Sequence, residues 1–276
     1  MIYELEPPGS RVLAIDCPFP EALAVIEGNN PGWVFADDPN TPRTALVWAQ
    51  GIEGFYLVGD PGSTPFLEYL DGTIDQVLGP RLQHLGVTWL EVSGGEKWNP
   101  VIENTFENRD LESSQQWVYK LKSEGQAATQ PETVGDCRLH RIDRRLLADL
   151  SATNEEFLHA KLALFWGSEG AFLRAGLGYV LACGEEIASL CFSGFVAGNT
   201  HAIDVETKAS HRRKGYARAV ATAFIAECVE RHLQPHWDCM AENVASLQLA
   251  EKLGLARSHT YTLYSFPLES QGTTQA

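Results

Sequence analysis

The sequence predicts an α/β chain of two domains, and three observations lead there. Over residues 1–122, short runs rich in β-formers alternate with runs of helical spacing. Residues 123–136, SEGQAATQPETVGD, are small and polar, as a linker is. Residues 137–276 then give three closely spaced strand-like runs, an amphipathic helix, another strand, a helix and a closing strand. The expected division is an N-terminal α/β domain over 1–122, a linker over 123–136 and a second domain over 137–276. A chain of 276 residues can hold two modest cores.

Taken in order, PEALAVIEG (residues 20–28) has helical spacing. Residues 33–60 read as a meander of strands rich in Val, Tyr, Phe and Trp, cut by D-D-P-N-T-P and Q-G-I-E-G turns. Residues 66–85 read as helix with a break at Gly79-Pro80. VTWLEVSG (87–94) and QQWVYKLK (115–122) read as further strands. CRLHRID opens the second half as a short strand, and a long helical region follows over 144–165. Residues 176–184, 186–199 and 201–207 are three successive strands, joined so tightly that antiparallel pairing is expected. Gly176-Leu177-Gly178 precedes a strand rather than opening a helix, which excludes a dinucleotide loop there.

The net charge of −15 argues against a nucleic-acid partner, because phosphate binding needs a basic surface. An acidic field suits cationic substrates such as amines. The N-terminus lacks the basic start and apolar core of a signal peptide, and no apolar run approaches the ~20 residues of a membrane span. Cys17, Cys137, Cys183, Cys191, Cys228 and Cys239 form no C-x-x-C pair and mostly sit in apolar stretches. They read as six free core thiols of a cytoplasmic protein. The eight histidines show no zinc-ligand spacing, so no metal is expected. A monomer or homodimer is expected, without membrane association.

The chemistry concentrates after the third strand of the second half, in KASHRRKGYARAVATAFIAECVERHL. Val220, Ala221, Phe224, Ile225 and Cys228 make one apolar helical face. Arg212, Arg213, Lys214 and Gly215 stand immediately before it. A strand, a basic turn and a helix N-terminus form an anion site, because the first helical turn has unpaired N–H groups and the positive end of the dipole. Gly215 lets a ligand oxygen approach the backbone, and Ala217 keeps the next turn shallow. The plain alternative is a solvated helix start with a turn glycine.

R-R-K-G-Y-A at residues 212–217 is similar to the R/Q-x-x-G-x-G/A pyrophosphate loop of the GNAT acetyltransferase superfamily. PHWDCM resembles the fifth strand of that fold. ENVASLQLAEKLGL resembles its N-x-x-S/A…K-L-G-F helix, and TYTLYSF its closing strand. Together with I-D-V-E-T these motifs look like the two-domain branch that includes the zwittermicin A resistance acetyltransferase. The N-terminal half resembles that branch only in W-V-F-A-D-D-P-N-T-P and F-Y-L-V-G-D.

The resemblance implies a mixed, mostly antiparallel sheet flanked by helices, with acetyl-CoA as cofactor and an amine as acceptor. It implies a degenerate copy of the same fold as one option for the smaller N-terminal domain. The backbone amides of Arg213, Lys214, Gly215, Tyr216, Ala217 and Arg218 would cradle the pyrophosphate. The main chain of Val205 and Thr207 would pair with the pantetheine, and Asn243 and Ser246 would lie beside it. The sheet would have to splay between the third strand and PHWDCM.

Amine acetylation needs a base for the ammonium proton and a proton for the departing thiolate. Glu206, Asp204 and His201 compete for base, Glu206 and His201 foremost, with relay by water alone as the remaining option. Strand alternation puts Asp204 and Glu206 on one face and His201, Ile203 and Val205 on the other, unless a bulge intervenes. Many GNAT enzymes carry a Tyr where this chain has Ala250, so the acid's usual place is vacant. Tyr261, Tyr264 and Ser246 are the substitutes. Cys239 beside Asp238 is a poor nucleophile, and His236 and Trp237 are candidates for the acceptor pocket. The expected activity is N-acetylation of a small-molecule amine by direct attack. The alternatives are a non-catalytic acyl-CoA-binding or sensing module, and acetylation of a protein amine.

Overall fold

The computed structural model describes residues 1–6, 15–121, 133–150 and 152–268. Contacts divide the chain into unit 1, Met1–Gly28 with Gly32–Gln115 and Tyr261–Ala276, and unit 2, Asn29–Pro31 with Gln116–Thr260. Most of the expected linker, 123–132, lies outside the described residues. Its end, Thr133–Val134, is a short strand, and the chain changes units inside a strand at Gln115.

Unit 1 contains β1 (Tyr3–Leu5), α1 (Pro20–Ile26), β2 (Gly32–Ala36), β3 (Thr44–Ala49), β4 (Gly54–Gly59), α2 (Thr64–Thr73), α3 (Gly79–His84), β5 (Trp89–Ser93) and α4 (Asn99–Thr105). β1 to β4 form an antiparallel meander, and β5 returns parallel to β4 after the helical crossover. The helix expected over 66–85 does not break at Gly79-Pro80. A π-helical turn at Ile74–Leu78 joins α2 to α3, and Pro80 falls in the first turn of α3, where its missing N–H costs nothing.

Strand β6 (Glu112–Leu121) carries the chain into unit 2. There follow β7 (Thr133–Val134), β8 (Cys137–Arg141), α5 (Arg144–Ala148), α6 (Ala152–Trp166), α7 (Glu169–Ala175), β9 (Gly178–Cys183), β10 (Glu186–Ala197), β11 (Thr200–Thr207), α8 (Tyr216–Glu230), β12 (Gln234–Met240), α9 (Val244–Lys252) and β13 (Leu255–Pro267). The single helical region expected over 144–165 is two helices, the first capped by Asp143 Oδ1, which accepts from Leu146 N at 2.8 Å. The closing strand was expected to belong wholly to the second domain, but its end from Tyr261 onward belongs to unit 1. There Tyr264 and Phe266 pair with β5 and fill the core of that unit.

In unit 2, β7, β8, β9, β10 and β11 pair antiparallel in sequence order. β12 joins β11 in parallel and pairs antiparallel with β6 on its other side. Almost all of β10 is buried, matching its continuous apolar run, because helices cover both faces. The α8 stripe of Val220, Phe224 and Cys228 packs on one face with no exposure, each large side chain contributing roughly 1.5–3 kcal/mol by burial. On β10 the register shifts between Ser193 and Phe195. Buried Asn30 satisfies this bulge, donating to Gly194 O at 2.8 Å and accepting from Val196 N at 3.1 Å.

The expectation of six free thiols is corrected. Cys137 and Cys183 are register partners on β8 and β9 and form a disulfide, while Cys17, Cys191, Cys228 and Cys239 are free. The two lie 46 residues apart in sequence, and only the strand pairing puts their Cβ atoms opposite one another. Among the described residues, no helix is long and apolar enough to cross a membrane.

Candidate active site

The parallel pairing of β11 with β12 lasts three residue pairs, Thr200–Gln234, His201–Pro235 and Ala202–His236. Beyond it β12 pairs with β6 from Trp237 onward, and β11 follows β10 as far as Thr207. The two strands therefore splay, as the resemblance requires. The β11 residues from Ile203 to Thr207 are half-buried at this opening, where a central strand would normally be closed.

The opening leads into a cleft of about 740 Å³ built from unit 2 residues. Val205, Glu206 and Thr207 supply its β11 wall. The loop before α8 and the first turn of that helix supply its floor, with Arg212, Arg213, Gly215, Tyr216, Ala217 and Arg218. Asn243 and Ser246 come from the start of α9. Of the residues expected to contact the cofactor, only Lys214 is not in the lining. Its ammonium stacks over the Tyr216 ring at 5.9 Å.

The loop has the backbone of an anion cradle. Arg213 is left-handed with φ +63° and Gly215 with φ +82°. For Arg213 that conformation costs energy that nothing in the sequence requires, so the loop shape itself is being held. Gly215 caps α8 with no side-chain hydrogen bond, and the first intrahelical acceptor bond is Ala219 N to Gly215 O at 3.2 Å. The amides of Tyr216, Ala217 and Arg218 thus precede the helical ladder at the positive end of the dipole. A Cβ built on Gly215 meets nothing within 4 Å, so it would project into open space. Uncapped amides, flanking cations and an open approach fit a pyrophosphate.

At the α9 end, Asn243 caps its helix by accepting from Ser246 N at 3.1 Å. Ser246 Oγ accepts from Trp237 Nε1 at 3.0 Å, which fixes it at the cleft wall. Trp237 and His236 are buried and do not line the cleft. Burial pushes the Cys239 thiol up, in keeping with a side chain that is no nucleophile.

The two candidate bases separate by face. Glu206 lines the cleft, and its Oε2 lies 2.6 Å from Lys161 Nζ on α6. Asp204, on the same face, lies 3.9 Å from that ammonium. His201 faces the other way and is buried. Its Nδ1 is 2.7 Å from Ser193 Oγ, and burial, then Arg231, pushes its pKa down to about 4. The bulge lies on β10, so the alternation of β11 is undisturbed. Tyr264, the candidate acid, belongs to unit 1. Its hydroxyl donates to Glu103 at 2.7 Å, and burial, then Glu103, pushes its pKa up to about 12. Tyr261, also in unit 1, packs edge-on against Phe19. Ala250 is fully buried in the α8 core.

Sequence reasoning missed Lys161, His211, Gln248 and Lys252. The last three line the cleft, and His211 Nε2 is held 3.0 Å from Glu186. Lys252 was legible only as part of E-K-L-G. Lys161 gave no signal, because its partners are far away in sequence.

The family profile described as GNAT acetyltransferase matches residues 21–264. The chain is 27% identical over 244 residues to the uncharacterised N-acetyltransferase YdfB of Bacillus subtilis (strain 168), covering 87% of this chain and 88% of that one. A GCN5-related N-acetyltransferase-like protein from Streptococcus suis 89/1591 superposes with a TM-score of 0.60 at 23% identity, over 93% of this chain and 97% of that one. A tandem GNAT protein from the clavulanic acid biosynthesis pathway superposes with a TM-score of 0.58 at 12% identity, over 98% and 100% of the two chains.

Proposed function

Because the chain belongs to the GNAT acetyltransferase family, we propose that it uses acetyl-CoA to acetylate a small-molecule amine, with Glu206 as base. The observation that carries this reading is the uncapped, basic start of α8 opening on the splay between β11 and β12, with Glu206 on its wall. The finer kinship to the two-domain branch of the zwittermicin A resistance acetyltransferase rests on the I-D-V-E-T, R-x-x-G-x-A and N-x-x-S motifs.

Bound acetyl-CoA would supply a thioester carbonyl for the amine and a thiolate leaving group, acceptable at a thiol pKa of about 8.5. The amides of Tyr216, Ala217 and Arg218, with Arg213, would hold the pyrophosphate. The main chain of Val205 and Thr207, left without a β12 partner, would pair with the pantetheine amides, and Asn243 and Ser246 would flank it. Glu206 would take the ammonium proton onto its carboxylate, leaving the amine neutral to attack. With Ala250 buried and Tyr264 in unit 1, Ser246 Oγ at the cleft wall or solvent would protonate the thiolate.

The test is thiol release from acetyl-CoA with tyramine, spermidine, glucosamine, lysine and a lysine-containing peptide. Wild type should release thiol with at least one of the small amines. Glu206→Gln should lower kcat by about 10²–10⁴-fold, the usual size of a base deletion, with coenzyme A affinity within twofold. Coenzyme A binding without turnover on any acceptor would leave a binding module. Turnover on the peptide alone would move the assignment to protein acetylation, and an unaffected Glu206→Gln would remove the base.

A further inference from the structure

Lys161 is the cation of a small charge cluster on the face of β11 opposite α8. Its Nζ lies 2.6 Å from Glu206 Oε2 and 3.9 Å from Asp204 Oδ2. Helix α6 is fixed in rotation on β10. Leu158 and Leu162 are fully buried, Phe165 packs edge-on against Phe192, and Trp166 Nε1 donates to Ser193 O at 2.8 Å. Lys161 is therefore aimed by the core, and its side chain is only 26% exposed. Asp204 Oδ2 is buried and has no hydrogen bond. Burial pushes the Asp204 carboxyl up, Lys161 opposes this, and Glu206 adds to it. Two carboxylates thus share one ammonium, and the shorter, hydrogen-bonded contact goes to Glu206.

We propose that Lys161 is a positioning residue for acetyl transfer, its ammonium holding the Glu206 carboxylate in one orientation at the cleft wall. This rests on the reading of Glu206 as base.

Other charged groups are present near β11. Asp238 on β12 shares the face by strand alternation, opposite Trp237 and Cys239. Lys208 and His211 are both engaged with Glu186, at 3.1 and 3.0 Å, and Arg212 Nε donates to Thr207 O at 3.3 Å. Arg213 and Arg218 line the cleft beyond. All of these stay in place when Lys161 is replaced, so a loss on its removal reports Lys161.

The test uses the full-length chain and the panel amine of highest turnover. Lys161→Met should lower kcat by about 10–10²-fold, the order of a misplaced catalytic group, with KM and coenzyme A affinity within twofold. Lys161→Arg should restore most of kcat. A readout without substrate is the 15N ζ signal of Lys161, which should shift in Glu206→Gln. If Lys161→Met misfolds, Lys161→Gln and the 15N signal decide. Wild-type kcat in the folded Lys161 variant, a loss confined to KM, or a 15N signal indifferent to Glu206→Gln overturns the proposal. Wild-type kcat in Glu206→Gln at every pH would instead show that the base reading itself had failed.

Discussion

Units 1 and 2 contain the same crossover, a strand followed by helix and then a parallel strand, and they treat the helix start in opposite ways. In unit 2, β11 runs into a basic loop and the uncapped N-terminus of α8, and the end of β11 is half-exposed. In unit 1, β4 is buried along its whole length and runs into Asp60-Pro61-Gly62-Ser63. There the chain satisfies its own amides. Asp60 Oδ1 accepts from Gly62 N at 2.9 Å, Gly62 O accepts from Thr64 N at 2.8 Å, and Ser63 O accepts from Phe66 N at 2.9 Å. Pro65 removes a further donor from the first turn of α2. A crossover alone makes no site. The site needs amides left unsatisfied and a strand edge left open.

The sharpest way to break this contrast is to put a carboxylate into each loop. Gly215→Glu should abolish coenzyme A binding, at least a hundredfold loss or about 2.7 kcal/mol, because an anion would occupy the cradle. Gly62→Glu, in a loop already filled by Asp60, should leave affinity within twofold. Calorimetric titration of both variants checks the pair.

A second contrast runs between the two faces of β11. His201 is neutral in the fold, since burial lowers its pKa to about 4, and the unfolded imidazole titrates near 6.5. Between those values the unfolded chain binds more protons. Stability is therefore complete above pH 6.5 and falls as pH drops toward 4, by up to roughly 3 kcal/mol for a shift of this size. His236, pushed down to about 3 by burial, adds to the same slope. His201→Gln should flatten the pH dependence of urea unfolding and leave the pH–rate profile in place. Movement of that profile would return His201 to the chemistry.

The smallest expected effect concerns the strained loop residue. Arg213→Gly should gain roughly 0.5–1 kcal/mol of stability by relieving the left-handed backbone. It should lose several-fold in coenzyme A affinity, with a weaker salt dependence, because one screened charge is gone. Denaturation and salt-titrated binding together check it.

Much of this was legible in the sequence. R-R-K-G-Y-A before the α8 stripe marked the basic loop and the helix start, because helix periodicity and glycine chemistry are local properties. The faces of Asp204, Glu206 and His201 followed from the two-residue period of a strand. What escaped depended on distant segments meeting. Lys161 is 45 residues from Glu206, the Cys137–Cys183 bond joins partners 46 residues apart, and the end of β13 belongs to the core of unit 1. The Gly79-Pro80 break became a π turn because the tertiary core, through Ile74, Leu78 and Leu82, keeps the chain helical across it.

The most direct measurement is the stoichiometry of coenzyme A binding by calorimetry on the full-length chain. The account predicts one molecule per chain in wild type and in Gly62→Glu, and none in Gly215→Glu. Two molecules per chain, or one that persists in Gly215→Glu, would contradict it.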